Sequence, residues 1–348
     1  MIMDDKIVIY ADINTVEEII VFDDNYPNLN KIFQNNAVFC LNISDEDFEK
    51  KWNDESDLFV FCTGHDIPLP VALNTYFDTL KEDYSIIADK PRALFILNEN
   101  ADKIKELQNS YGILALNKND IQDNVLQLKH FREFDKNQQI IGASNGWKNT
   151  LNNLGFPPSN CFVLSDNYLF SRKENGDLIG ESNLINLIDA LLPSVLSVEY
   201  HILVICNHPT VSSEECNRLI GRIKANILRL RNYDIILEFV FSSTINKRIL
   251  MSNYFNIKCD KGFEMFKLSN NQIVLDPNDI DVHSVLHDPT NSTGDSAYKS
   301  TTKKLKEIKA ISNELKEQIN AGIIDHEKKI AGDCKKDKSL KNRLIQCV

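Results

Sequence analysis

Several residues of chemical interest follow apolar, strand-like runs in the second half of the sequence. They read Ser165-Asp-Asn-Tyr168, Asn207-His208, Ser242-Ser-Thr244 and Asn246-Lys-Arg248. In an open α/β sheet, ligand-contacting residues come from loops at the carboxyl ends of the strands, so we expect these segments to converge on one rim. The predicted ligand-binding residues are Asp166, Asn207, His208, Ser243, Asn246, Lys247 and Arg248.

Such a rim could hold a phosphate-containing ligand. Lys247 and Arg248 would meet the anion, while Asp166 would orient a base or a metal-bound water. The alternative is that Asp, Asn and Ser simply end strands and begin turns, as these residue types do in many proteins. Both interpretations remain open, and no catalytic residue is predicted.

The first part of the chain offers carboxylates and one histidine after apolar runs, namely Asp12, Asp23, Asp24, His65 and Asp66. A nuclease of the PIN type would gather such carboxylates around Mg²⁺. No recognisable ligand spacing follows Asp12, however, and with 50 acidic residues some must fall after strands by chance. We therefore predict no metal ligands, and we interpret His65 as a turn residue rather than a general base.

The sequence contains neither a GxxxxGK[ST] loop nor a GxGxxG loop, and it has only 12 glycines. This disfavours ordinary ATPases and Rossmann dehydrogenases, and no cofactor is predicted. The eight cysteines are scattered without a CxxC pair, mostly inside apolar runs. They are predicted to be small buried hydrophobic residues rather than disulfides or zinc ligands.

The predicted strands and helices that position these residues alternate along the chain. This pattern predicts an α/β fold with two open, mainly parallel-sheet domains. Strands are predicted at 7–11, 37–41, 58–62, 91–97 and 112–116, and then at 161–164, 200–206, 234–241, 248–251 and 254–257. The loosened, polar sequence around residue 135 predicts a boundary. The predicted units are an N-terminal α/β domain at 1–135, a second α/β domain at 136–288, and a linker with a basic helical tail at 289–348.

Charge is segregated along the chain. Residues 299–348 contain 13 basic and 7 acidic residues, leaving 26 of the 39 basic and 43 of the 50 acidic residues in 1–298. The acidic body would repel phosphate backbones, so nucleic-acid binding is expected only through the tail. The predicted tail contacts to a protein partner or nucleic acid are Lys303, Lys304, Lys306, Lys309, Lys335, Lys336 and Lys338.

The tail also carries a narrow apolar stripe at helical spacing, from Leu305 to Ile319. Such a stripe is typical of a helix that docks on a partner or on the acidic body. No run of about 18 apolar residues is present, and the first residues are acidic rather than basic. The sequence therefore predicts a cytoplasmic protein without a membrane span.

The stretch from Asn160 to Phe266 resembles a family of known proteins. The similar segments are Ser165-Asp-Asn-Tyr-Leu-Phe170, Gly180-Glu-Ser-Asn-Leu-Ile-Asn-Leu-Ile-Asp-Ala-Leu-Leu-Pro193, Tyr200-His-Ile-Leu-Val-Ile205, Asn246-Lys-Arg-Ile-Leu-Met-Ser-Asn-Tyr-Phe255 and Gly262-Phe-Glu-Met-Phe266. They resemble uncharacterised bacterial proteins with a phospholipase-D-like domain, similar to the C-terminal domain of microtubule-interacting-and-trafficking (MIT) proteins. The resemblance implies that 136–288 has a phospholipase-D-like fold.

The resemblance also bears on chemistry. In that group the residues before the late strand read His-Asp-Arg, whereas here they read Asn246-Lys247-Arg248, so that only the arginine matches. A phospholipase-D-type reaction forms a covalent phosphoryl intermediate on histidine, which asparagine cannot do. The resemblance therefore implies the fold and argues against phosphodiesterase activity.

Two functions remain open. The first is a noncatalytic interaction or sensor subunit of an intracellular complex, placed by association alone in host defence or a mobile element. The second is a metal-dependent nuclease or phosphodiesterase that acts on nucleic acid or nucleotide around Asp166, His208 and Arg248. The missing nucleophile, the missing metal spacing and the segregated charge favour the first.

Overall fold

A computed structural model of the chain describes residues 5–53, 56–121, 147, 151, 156–170, 179–245, 248–260, 262–263, 266–269, 272–275, 280–286, 296–325 and 328–348. The predicted boundary near residue 135 and residues 289–295 of the predicted linker lie outside this part. The described strands form two larger sheets and a separate hairpin, with helices packed on them. This confirms the α/β class. None of the helices in the described ranges combines the length and apolar character that a membrane span requires.

The first sheet is parallel throughout, in the order β3-β2-β1-β4-β5. Its strands are β1 (Ile7–Ala11), β2 (Ala37–Leu41), β3 (Val71–Ala72), β4 (Leu94–Leu97) and β5 (Ala115–Asn117). The helices of this region are α1 (Ile13–Val21), α2 (Pro27–Asn36), α3 (Asp45–Asn53), α4 (Asp57–Gly64), α5 (Asn74–Glu82) and α6 (Ala101–Tyr111), with 3₁₀ helices at Asp23–Asn25 and Tyr84–Asp89. Every residue of β2 and β4 is buried, as expected for parallel strands covered on both faces.

The strand predicted at 58–62 is wrong, because this segment lies in helix α4. Ser56 begins the helix by accepting a hydrogen bond from the backbone N–H of Phe59 at 3.3 Å. Leu58, Phe61 and Cys62 are buried and lie on one helical face. A short apolar run does not distinguish a buried strand from a buried helix, and here the cap and the packing select the helix.

The second sheet has the order β13-β10-β9-β6-β7-β8-β14. Its region contains β6 (Cys161–Ser165), β7 (Tyr200–Cys206), β8 (Ile235–Phe241), β9 (Ile249–Ser252), β10 (Phe255–Cys259), β13 (Ile280–Ser284) and β14 (Ile330–Gly332), the hairpin β11 (Phe266–Ser269) and β12 (Gln272–Leu275), and helices α7 (Ile179–Leu191) and α8 (Ser213–Ile227). Strands β6, β7 and β8 run parallel, and the other neighbours run antiparallel. This sheet is mixed rather than mainly parallel, because the short turn between β9 and β10 makes a hairpin.

The C-terminal segment is part of the second sheet rather than a detachable tail. Helix α9 (Ala297–Asn320) buries Leu305, Ile308 and Ile319 against the face of the sheet that carries Val163 and Leu203. Strand β14 then extends the sheet by pairing antiparallel with β8, and α10 (Arg343–Gln346) packs beneath. Of the two docking modes predicted for the apolar stripe, the described residues therefore show docking on the body.

Buried polar contacts join the two sheets. The hydroxyl of Tyr254, which follows β9, donates to the carbonyl of Ala93 at 2.8 Å and accepts from the N–H of Leu114 at 2.9 Å. Gly112, at the end of α6, has a φ of +64°, and a Cβ there would lie 2.4 Å from the carbonyl oxygen of Ser159. The two sheets therefore meet in backbone contact at this point.

Candidate functional site

The carboxyl ends of β6, β7 and β8 lie side by side at one edge of the second sheet. The backbone N–H of Asp166 donates to Ile205 at 2.9 Å, and that of Ser242 donates to Cys206 at 3.0 Å. Strand β9 starts at the same edge, since Ile249 pairs with Ser165, and this places Arg248 beside the end of β6. Of the predicted ligand residues, Asn246 and Lys247 lie outside the described part of the chain.

Asp166 is fully buried and both of its carboxylate oxygens are used by backbone amides. Tyr168 N–H donates to Oδ1 at 2.9 Å, and Phe263 N–H donates to Oδ2 at 2.7 Å. Burial raises the pKa of Asp166, while the two amides and the charge of Arg248 act in the opposite direction. The side chain thereby ties the 166–169 turn to residues 262–263. In the described structure Asp166 therefore bridges two backbone segments.

His208 and Asp166 contact different residues. Its Nδ1 is 2.7 Å from the carbonyl oxygen of Pro209, and its ring packs edge-on against Phe241 with centroids 5.0 Å apart. Asn207 N–H reaches the carbonyl of Asn167 at 3.4 Å, and Ser243 is exposed. No hydrogen bond joins Asp166 to His208 in the described residues.

Arg248 lines an open hollow of about 460 Å³. We call it the basic hollow; its lining residues are Tyr168, Arg248, Ile249, Lys258, Cys259, Asp260 and Lys304. The guanidinium of Arg248 lies over the ring of Tyr168, with its central carbon 5.0 Å from the centroid, and donates to the carbonyl oxygen of Asp260. The aromatic ring and the carbonyl fix the orientation of the guanidinium.

The three cations of the basic hollow come from three separate elements. Arg248 precedes β9, Lys258 lies in β10 directly across from Ile249, and Lys304 comes from α9. Lys258 was not among the predicted site residues. The sequence could have indicated Lys258, because it is the single charged residue between the apolar Ile257 and Cys259. In the structure it is the exposed position of an otherwise buried strand.

A stretch of the sequence that includes this edge matches a known domain family. Residues 164–289 match the family model described as a phospholipase D-like domain at the C-terminus of MIT. The chain contains a phospholipase D-like domain. A search for curated relatives of the chain found no match.

The phospholipase D-like domain spans the strands from the end of β6 through β13 and includes Arg248. It ends before α9, so Lys304 brings a cation to the basic hollow from outside the matched region. Asn246, which the resemblance aligns with the histidine of the phospholipase D reaction, lies outside the described residues.

Several of the predicted tail lysines contact other residues of the chain. Lys306 lies 3.7 Å from a carboxylate oxygen of Asp5, Lys335 is 3.4 Å from Asn217, and Lys338 is 3.2 Å from Asn320. Lys309 donates to the carbonyl oxygen of Val348, whereas Lys303 and Lys336 are exposed. Several of these side chains therefore bind the protein itself.

The carboxylates considered near the N-terminus do not assemble either. Asp12 accepts from Asn42 at 3.0 Å and lies 3.4 Å from Lys118. His65 caps the end of α4, and its ring packs on Phe61 with centroids 4.7 Å apart. Within the described ranges no three His, Cys, Asp or Glu residues are grouped as a metal site would require.

Proposed function

We propose that the chain is a noncatalytic recognition subunit that binds a phosphate group of its partner in the basic hollow. The observation that carries the proposal is the convergence of Arg248, Lys258 and Lys304 from three elements on one concavity. The body of the chain is otherwise acidic, with a net charge of −11 for the whole sequence. A cluster of cations there favours an anionic group by charge and by hydrogen bonding.

The placement of Asp166 and His208 supports a noncatalytic role. Both carboxylate oxygens of Asp166 already accept backbone hydrogen bonds, and the His208 ring contacts Pro209 and Phe241. A general base must reach the proton that it removes. Asn246 cannot form the covalent phosphoryl intermediate that a histidine forms, which also favours the noncatalytic role.

The proposal is tested with immobilised full-length chain as bait in a native lysate, followed by mass spectrometry of bound protein and nucleic acid. We expect partners that wild type captures, that the Arg248→Gln/Lys258→Gln variant loses, and that phosphatase treatment of the lysate removes. Arg218→Gln is the matched control, because Arg218 is an exposed arginine on α8 whose side chain is 69% accessible. Capture that is insensitive to both the double variant and phosphatase would contradict the proposal.

An activity assay distinguishes the noncatalytic subunit from the alternative function, a metal-dependent nuclease or phosphodiesterase. Purified chain is incubated with labelled single-stranded and duplex nucleic acid in Mg²⁺ or Mn²⁺. We expect no cleavage above that of a mock preparation, made from cells without the chain and purified in parallel. Cleavage that requires metal and is abolished by both Asp166→Asn and His208→Gln in folded protein would establish the enzyme instead.

A further inference from the structure

A cleft of about 580 Å³ opens between the first sheet and the C-terminal segment of the second. We call it the intersheet cleft. Its walls come from the strand β1 region and residues 89–93 on one side, and from the start of β7, α9 and residues 341–348 on the other. Its volume falls within the roughly 300–1,000 Å³ typical of small-molecule sites. The cleft is separate from the basic hollow, with which it shares no lining residue.

The cleft has the opposite charge to the chain as a whole. Its cationic lining residues are Lys6, Lys90, Arg92, Lys341 and Arg343, and its side-chain carboxylates are Asp89 and Glu199. Arg343 lies 3.6 Å from Asp89, and Lys341 lies 3.0 Å from Asp337. Among the described residues, Arg92 and Lys90 have no carboxylate within ion-pair distance.

Arg92 is the decisive residue, because its charge is buried and it forms no ion pair with a carboxylate of the described residues. It is 4% exposed, and its Nη1 donates to Thr302 at 2.7 Å while its Nη2 donates to the Tyr298 carbonyl at 3.1 Å. Its Cζ lies 3.8 Å from the centroid of the Tyr298 ring. The Nε is buried and makes no hydrogen bond to the described part of the chain. A buried guanidinium is costly unless an anion neutralises it, so this site calls for a negative group.

His201 adds a second unused polar group to the same wall. It is 6% exposed, and neither ring nitrogen makes a well-formed hydrogen bond within the described residues; Nε2 lies 3.4 Å from Glu199. Burial, reinforced by the charge of Arg343, lowers the pKa of His201 to about 3, while a weak contact with the backbone of Lys341 acts in the opposite direction. The imidazole is therefore neutral at physiological pH and offers hydrogen bonding rather than charge.

We propose that the intersheet cleft binds a small phosphate ester, with Arg92 and Lys90 holding the phosphate and His201 bonding to the organic part. A phosphate matches the planar donors of arginine and the point charge of lysine. The remaining volume and the apolar side chains of Val8 and Ala93 accommodate the organic part of the ester. This binding is independent of the basic hollow.

Binding is measured by calorimetry on the full-length chain with ribose 5-phosphate, glycerol 3-phosphate and adenosine monophosphate. Ribose, glycerol and adenosine are the matched probes without phosphate. We expect at least one ester to bind while its dephosphorylated counterpart does not. Lys90→Gln, a substitution at a side chain with no ion pair in the described residues, should weaken that binding by about tenfold or more. Arg92→Gln should weaken it further, while Arg218→Gln and Arg248→Gln should leave it unchanged.

A second experiment tests whether the ester binds in the intersheet cleft. Of the eight cysteines, seven are buried, whereas Cys347 is exposed as a residue and lines the intersheet cleft. Its Sγ donates to the carbonyl oxygen of Leu344 at 3.2 Å and burial of the thiol raises its pKa, so its reaction with a maleimide is slow and is followed at alkaline pH. A bound ester should slow the reaction of Cys347 with a maleimide several-fold. The proposal is overturned if none of the esters binds at millimolar concentration. It is also overturned if Lys90→Gln binds as tightly as wild type, or if saturating ester leaves the rate at Cys347 unchanged.

Discussion

Two buried carboxylates of the second sheet hold backbone segments in place. Asp166 bonds to the amides of Tyr168 and Phe263, and Glu238 in β8 bonds to the amides of Lys341 at 2.7 Å and Asn342 at 2.9 Å. Each carboxylate thus joins segments that are far apart in sequence. Buried acids of this kind resemble functional groups in a sequence, but their hydrogen bonds assign them to the architecture.

Asp166→Asn should destabilise the protein. The amide side chain accepts from one backbone N–H and presents its own NH₂ to the other, so one buried donor loses its acceptor. We expect the free energy of unfolding to fall by about 1–3 kcal/mol, measured by urea denaturation. His208→Gln is the comparison at the same edge and should cost less. A variant as stable as wild type would show that Asp166 does not hold residues 262–263.

Glu238 makes the stability dependent on pH. Burial raises the pKa of Glu238 from its ordinary value of 4.5 to about 7. Between these two pH values the folded protein keeps the proton of Glu238, whereas the unfolded chain has released it. Stability due to this group therefore falls as pH rises from about 4.5 to 7, by roughly 3 kcal/mol in all. His201, whose pKa is lowered to about 3, acts oppositely, since its stability contribution is lost as pH falls below about 6.5.

Because these two effects overlap, Glu238→Gln is compared with wild type at each pH. Glutamine does not ionise, so the stability of wild type relative to the variant should decline between pH 5 and pH 8. Urea denaturation at several pH values gives this difference directly. A difference that stays constant across the range would mean that Glu238 titrates elsewhere.

At the scale of elements, the contact between the two sheets depends on the end of α6. Gly112 adopts the left-handed conformation that stops the helix, and it lies against the backbone of Ser159. The helix stop is readable from the sequence, because glycine is common at this position. The close approach of Ser159 is not, since it arises from residues 47 positions away in the chain.

Gly112→Ala should therefore destabilise the protein strongly. The left-handed backbone costs about 1–2 kcal/mol for alanine, and the added Cβ meets backbone atoms of Ser159 that have little room to move. Gly221→Ala is the matched control, because a Cβ at this position in α8 meets nothing within 4 Å and should stabilise the helix slightly. Thermal denaturation of both variants measures the contrast; equal melting temperatures would contradict the proposed contact.

The elements differ in how far their sequences determine them. The strands β6, β7 and β8 were predicted because each is a long apolar run with clear turn residues, and α8 because Ser212 caps a regular apolar stripe. The segment 58–62 was misassigned because five apolar residues fit either state. In the basic hollow, Arg248 was predicted from its neighbours in sequence. Lys258 was not, because only the pairing of β9 with β10 brings it there.

At the scale of the whole molecule, the C-terminal segment is built into the second sheet. It covers one face of the sheet and supplies the edge strand β14. The sequence gives its helix and its positive charge, but not its partner, because the pairing of β14 with β8 joins residues some 90 positions apart. The sequence predicts a basic helical tail, and the packing of its apolar residues makes that segment an integral part of the second sheet.

Removing residues 297–348 should unfold the second sheet rather than leave it intact. The buried apolar residues lost are Leu305, Ile308, Ile319, Ile330, Cys334, Leu340, Leu344 and Ile345. Large apolar side chains contribute about 1.5–3 kcal/mol each on burial, so their sum reaches the 5–15 kcal/mol by which typical domains are stable. Circular dichroism and size-exclusion chromatography of the truncated chain should show lost cooperativity and aggregation. A Lys303→Gln/Lys336→Gln variant is the control, since it removes two exposed charges and no packing. If the truncated chain unfolded cooperatively at the wild-type midpoint, the segment would be the dispensable tail that its charge suggests.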